Sequence, residues 1–325
     1  MTAMTNLKFD GRVAIVTGAG GGLGREHALL LASRGAKVVV NDIGGSVSGD
    51  GMDAGPAEAV AREIRGQGGE AVADTHSVAT PDGGVALVRT ALRAFGGVDI
   101  LVNNAGILRD ALFEDTTPEL LAPVIDVHVN ALFHVTRPAW RVMVDQGYGR
   151  IVNTTSAAGL LGTARKSNYG TAKAGVAGLT RVLAMEGADH DIKVNAIAPI
   201  AATRMLTDSM TRAEGDPELD PAAMAMMNAV ISKLDPALVS PVVAFLAHED
   251  CPVTGEIYTA GAGQVARFFT GRTQGYHHPE LSIEDVRDHL AEIRDETGYT
   301  IPAGPREEIT ELLRAIASRP QLVTD

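Results

Sequence analysis

The chain has 325 residues, 45% of them hydrophobic and 36 of them glycine, with 40 acidic against 28 basic side chains and a formal net charge of −12. Such a surplus opposes nucleic acid and anionic membrane as partners, since either would be repelled by most of the surface. Cys251 is the single cysteine, which leaves no disulfide framework and no thiolate metal cluster.

Arg12-Val-Ala-Ile-Val-Thr17 is a short apolar run of the kind that forms a buried parallel strand. It leads into Gly18-Ala-Gly-Gly-Gly22-Leu-Gly24 and then a helix over Arg25–Arg34, closed by Gly35. Strand, glycine turn and helix in this order make a dinucleotide site, with Gly18, Gly20, Gly22, Leu23 and Gly24 around the pyrophosphate. The helix N-terminus adds free N–H groups and a positive dipole end. A second strand, Ala36–Asn41, ends at Asp42, placed to accept hydrogen bonds from the adenosine ribose and to repel a 2′-phosphate. No Arg or Lys occurs between Asn41 and Ala61, so NAD is favoured over NADP.

The alternation continues. Strands are expected at Glu70–Asp74, Val98–Asn103, Arg150–Thr155, Ile192–Ala196 and Glu256–Thr259, with helices near 53–66, 81–95, 117–145, 167–188 and 236–247. Thr117 followed by Pro118 is a start signal for the third of these helices. The pattern predicts an α/β fold, a doubly wound parallel sheet of the Rossmann kind over 1–263, with a helical extension over 264–325. That extension is expected to pack on the cleft or on a partner subunit, and Ser282 with Asp285 reads as a capping box ahead of a further helix from about Pro305. Ile200–Asp235 carries Met205, Met210, Met224, Met226 and Met227, which suit either an adaptable apolar lid or an ordinary helix core.

Within the 167–188 helix, Tyr169 and Lys173 are four apart and share one face. A phenol of pKa about 10 is a poor base near neutrality. An ammonium about 4 Å away, at an effective dielectric of roughly 20, contributes on the order of 4 kcal/mol to the phenolate, enough to bring it near 7. Lys173 is therefore expected to lower the pKa of Tyr169, leaving Ser156 to hold a substrate oxygen.

Thr17-Gly18…Gly22…Gly24, Asn103-Asn-Ala-Gly106, Ser156, Tyr169 and Lys173, in this order and spacing, resemble the short-chain dehydrogenase/reductase family over roughly residues 9–263. Val39-Val-Asn-Asp-Ile-Gly-Gly45, Asn103-Asn-Ala-Gly-Ile-Leu-Arg-Asp110 and Val135-Thr-Arg-Pro-Ala-Trp140 are similar to one branch, the (3R)-hydroxyacyl-CoA dehydrogenase units of type 2 multifunctional enzymes. So are Tyr148-Gly-Arg-Ile151 and Ser282-Ile-Glu-Asp-Val-Arg-Asp288.

The resemblance implies that Asn130 orders a proton relay, Ser77 and Val78 flank the adenine, and Asn104, Ala105 and Gly106 lie against the cofactor. Pro199, Ile200 and Thr203 would reach the nicotinamide or phosphate, and Tyr169 and Lys173 would touch the cofactor as well as the substrate. His76, Ile200 and Ala260-Gly-Ala-Gly263 depart from the family's usual residues.

The activity so implied is NAD-dependent interconversion of a secondary alcohol and a ketone, with a (3R)-hydroxyacyl-CoA or a steroid-like molecule as substrate and a homodimer or homotetramer as assembly. The alternatives are a dehydrogenase or reductase of another small carbonyl compound, such as a terpenoid alcohol, and a non-catalytic NAD-binding scaffold. Arg165-Lys166 and Arg109 are candidates for the phosphates of Coenzyme A. Met1–Asp10 lacks a signal-peptide core, no stretch approaches the roughly 18 apolar residues of a membrane span, and Leu322-Val-Thr-Asp325 does not read as a peroxisomal address. A cytoplasmic protein is expected.

Overall fold

A computed structural model describes residues 6–213 and 231–318. The chain forms two compact units, Met1–Arg267 and Phe268–Asp325. The first contains the strands β1 (Val13–Thr17), β2 (Lys37–Asn41), β3 (Glu70–Asp74), β4 (Ile100–Asn103), β5 (Gly149–Thr154), β6 (Ile192–Pro199) and β7 (Ile257–Gly261). With β8 (Gln264–Phe268) they make one sheet in the order β3-β2-β1-β4-β5-β6-β7-β8, and β1 to β7 pair in parallel.

Every residue of β1, β4 and β5 is buried, because helices cover both faces of the sheet. The period-two alternation of a strand distributes the apolar side chains between two cores. Ala14 and Val16 of β1, with Val38 and Val40 of β2, face one of them. There they meet α1 (Gly22–Ser33), α2 (Gly55–Gly66) and α8 (Ser240–Leu246) through Leu31, Ile64 and Leu246. Val13, Ile15 and Val39 face the other, against α3 (Pro81–Phe95), α5 (Ala131–Gln146) and α7 (Ser167–Glu186) through Leu87, Met143 and Ala184. Leu101 of β4 is fully buried in that second core. Leu101→Ala is therefore expected to cost about 2–5 kcal/mol in denaturant unfolding. A loss below about 1 kcal/mol would contradict its place there.

The doubly wound sheet is as expected, and several boundaries differ. The segment expected as one helix over 117–145 is α4 (Pro118–Ile125), a π turn over Asp126–Asn130, and then α5. In that turn the Ala131 N–H donates to the Asp126 carbonyl, five residues back instead of four. Pro123 and Pro138 lie inside the two flanking helices, and neither can supply a backbone N–H. β6 runs on to Pro199, beyond the expected Ala196. Gln264–Phe268, read in the sequence as the start of the tail, is a strand, because Ala262 and Gly263 both take positive φ (49° and 80°). Two such residues make the tight turn that suits a hairpin. The strand leaves Val265 half exposed.

In the second unit Ser282 and Asp285 form a reciprocal capping box at the start of a short helix, Ile283–Asp288. A longer helix spans Pro305–Ser318, and Arg272 ties to Glu308 at 2.8 Å. No helix among the described residues is long and apolar enough to cross a membrane. Met224, Met226 and Met227 of the expected methionine lid lie outside the described residues, as does the side chain of Met210.

Candidate active site

Strand order determines where a site can form. β1 and β4 are neighbours although their connections leave in opposite directions, and the crevice beyond the carboxyl ends of such strands is the natural place for a ligand. The glycine turn follows β1, Asp42 follows β2, Asn104 follows β4, Ser156 follows β5, and Pro199 ends β6.

The glycine turn is shaped by close approach. A Cβ on Gly24 would fall 2.2 Å from the Gly18 carbonyl oxygen, so any side chain there would push α1 off β1. Around Gly22 there is room, with the Thr203 methyl 3.6 Å from where its Cβ would be. The turn thus brings α1's N-terminal N–H groups beside Thr203, a cradle that suits phosphates. Asp42 accepts from the Gly20 N–H (2.8 Å) and the Gly44 N–H (2.7 Å). A carboxylate has about four lone-pair sites, so two bonds leave capacity for ribose hydroxyls.

Asn104, expected against the cofactor, spends its side chain holding the turn. Its amide donates to the carbonyls of Thr17 (3.0 Å) and Gly18 (3.1 Å), while its own N–H and that of Ala105 donate to the Thr17 hydroxyl. Val78 is buried beside Thr17, Asn103 and Ala105. Ser77 precedes it, and its hydroxyl accepts from the Ala79 N–H. Ile200 is half exposed, and its N–H donates to the Ala260 carbonyl at 2.8 Å.

Ser156 is the N-cap of α6 (Ala157–Leu161), its Oγ accepting from the Ala158 N–H at 3.2 Å. The serine also hydrogen-bonds the Tyr169 phenol from α7, which draws that group's pKa down. Burial works the other way and wins. It pushes Tyr169 up to about 12, with the negative charge of Asp110 adding to the rise. Lys173 is 3% exposed, and burial pushes it down to about 7. Its Nζ donates to the Thr154 carbonyl at 2.6 Å and sits 5.6 Å from the centre of the Tyr169 ring. This overturns the expectation that Lys173 brings Tyr169 near 7. In the protein alone both groups are driven toward their neutral forms, because neither charge is well solvated there.

Asn130, expected to order a proton relay, closes the π turn that packs against α7. Its amide donates to Asp126 at 2.8 Å, on the same π turn. The residue that turn presents to Tyr169 is His128, missed in the sequence. Its ring meets the tyrosine edge-on at 5.1 Å and 90°, and it is 1% exposed. A helix with one extra residue in a turn changes face by about 100°, which regular helical periodicity cannot register.

The basic patch expected for phosphates is occupied internally. Lys166 pairs with Asp110 at 3.0 Å, both largely buried. Arg109 donates to the carbonyls of Ser48 and Glu119, each at 2.9 Å, and faces Asp50 at 3.4 Å. Ser48, Asp50, Arg109 and Asp110 line an open cleft with Leu108 and Leu120.

Residues 12–214 match the family model for short chain dehydrogenase. A short-chain type dehydrogenase/reductase of Mycobacterium tuberculosis is 46% identical over 292 residues, covering 89% of this chain and 96% of its own. Peroxisomal multifunctional enzyme type 2 of Drosophila melanogaster is 44% identical over 294 residues, and the match spans 89% of this chain but only 46% of that enzyme. The solved full-length structure of the Drosophila enzyme superimposes with a TM-score of 0.77 at 35% identity, over 96% of this chain and 50% of that one.

Proposed function

The chain belongs to the short-chain dehydrogenase family, and from that premise we propose that it oxidises a secondary alcohol to a ketone with NAD, acting on a (3R)-hydroxyacyl-CoA or a hydroxysteroid. The observation that carries the proposal is the convergence of Ser156, Tyr169 and Lys173 beyond the carboxyl end of β5, at the same end of the parallel sheet as the glycine turn after β1. When bound, the nicotinamide accepts the hydride. Gly18, Gly20, Gly22, Leu23, Gly24 and Thr203 would hold the phosphates, and Asp42 the adenosine ribose. Ser77, Val78 and Ala105 would border the rest of the cofactor, with Gly106, Pro199 and Ile200. Ser156 orients the substrate oxygen. Tyr169 accepts the alcohol proton at its phenol oxygen as the phenol's own proton moves on to the neutral amine of Lys173, so the pair as a whole gains one proton.

Acyl-CoA as the substrate rests on likeness to the multifunctional enzymes, since Lys166 and Arg109 already have internal partners. The test is NADH formation followed by absorbance across hydroxyacyl-CoA, steroid and simple alcohol panels. Turnover of a (3R)-hydroxyacyl-CoA or a hydroxysteroid well above that of simple alcohols is the expected result. Preference for a small neutral alcohol would favour the reading as a dehydrogenase of another carbonyl compound. Absence of turnover alongside tight NADH binding would favour a scaffold.

Asp42→Ala should weaken NADH binding and narrow its preference over NADPH by tenfold or more, because the mutation removes acceptor oxygens and a repelling charge together. Fluorescence titration of both cofactors reads this directly. Wild-type protein that binds NADPH as tightly as NADH would overturn the role given to Asp42. The 264–325 segment is proposed to complete the substrate cleft or a subunit contact.

A further inference from the structure

His128 belongs to no part of the proton chemistry above, yet it is more deeply buried than the tyrosine it touches. Three contacts fix it. Its Nε2 lies 2.8 Å from the Ile107 carbonyl and 3.1 Å from the Ile107 amide nitrogen. One tautomer donates to that carbonyl, and the other accepts from that N–H. Its Cε1 packs so closely on the chain that a Cβ on Gly106 would fall 2.5 Å away. Its edge meets the Tyr169 ring in a T-shaped contact, the arrangement aromatic quadrupoles favour. Nδ1 is buried without a hydrogen-bond partner among the described residues. Burial, then the charge of Lys173, holds the ring well below the usual imidazole range, so it stays neutral.

These contacts join two segments that must keep register. The loop after β4 carries Asn104, Ala105 and Gly106. The catalytic helix α7 carries Tyr169. The π turn that bears His128 lies between them and packs against α4, α5 and α7.

We infer that His128 is a positioning residue, which through Ile107 fixes the segment after β4 and with its ring edge fixes the orientation of the Tyr169 ring. The inference rests on the oxidoreductase reading for its kinetic consequence only. Removing both nitrogens leaves the Ile107 backbone group unpaired and frees the ring to shift. A glutamine can place an amide, with both donor and acceptor, near the position of Nε2.

The experiment compares His128→Phe and His128→Gln with the wild-type protein. In His128→Phe, kcat for alcohol oxidation should fall tenfold or more while KM stays within about threefold. His128→Gln should recover to within about threefold of wild-type kcat. Protein labelled with 3-fluorotyrosine gives a readout that needs no turnover. The Tyr169 fluorine resonance, assigned with Tyr169→Phe, should move or broaden in His128→Phe and return toward its wild-type position in His128→Gln.

A kcat within twofold of wild type in His128→Phe would overturn the inference. So would an unmoved Tyr169 resonance, or a His128→Gln protein as impaired as the phenylalanine variant. If His128→Phe fails to fold, the glutamine variant and its resonance decide alone, with wild-type-like values in support and losses against. If the wild-type protein turns over no alcohol with any pyridine nucleotide, the oxidoreductase reading fails, and the fluorine spectra still decide the placement of His128.

Discussion

Tyr169→Phe is expected to lower turnover by about a thousandfold, within the usual range of 10²–10⁴ for loss of a positioned acid or base. A thousandfold corresponds to about 4 kcal/mol of transition-state stabilisation. The fold should survive, since the change removes one hydroxyl and its bond to Ser156, at a net cost of about 1 kcal/mol. NADH binding should stay near wild type for the same reason. Steady-state kinetics with a fluorescence titration of NADH separates the two effects. Residual activity within tenfold of wild type would assign the proton to another group.

Lys173→Ala should have an effect of similar size at neutral pH, and a different pH dependence. In the protein alone burial places Lys173 at about 7 and Tyr169 at about 12. Below about 7 the pair is an ammonium and a neutral phenol, and it can accept no further proton. As pH rises through about 7 the pair loses one proton, and the alcohol proton then has somewhere to go. Alcohol oxidation should therefore rise with pH through one ionisation near neutrality and then level off. That ionisation belongs to the pair, whichever residue carries the proton. With Lys173 replaced by alanine, only the phenol remains, and burial holds it high. The rise should then move above about pH 9, and turnover at neutrality should fall by about 10²–10³. A pH–rate profile unchanged in Lys173→Ala would contradict the coupling.

The strands and the glycine turn were legible because their physics is local. A strand buried on both faces must be apolar throughout, as Val13–Thr17 nearly is, and a glycine at position 24 is required by a carbonyl six residues earlier. What the sequence hid depends on contacts it cannot display. Spacing placed Lys173 and Tyr169 on one face, but not the depth at which burial outweighs their mutual attraction. The Asp110–Lys166 pair joins residues 56 apart in sequence, and it removes a lysine that had read as a cleft cation. The π turn sets His128 against the tyrosine by breaking the periodicity on which a helical projection relies. Ala262-Gly263 likewise read as an unusual turn, while its two positive φ angles fold the start of the tail back as an edge strand.

In the proposed reaction a hydride moves from an alcohol carbon to NAD while Tyr169 and Lys173 handle the proton. Its most direct test uses a substrate deuterated at the carbinol carbon, chosen as the best of the alcohol panel, with NAD in one incubation and NADP in another. Mass spectrometry then follows the label. One deuterium is expected in the reduced cofactor of the NAD incubation with an equal amount of ketone, much less of either from NADP, and almost none in Tyr169→Phe. Ketone formed without label in the cofactor, or label carried as readily by NADP, would contradict it.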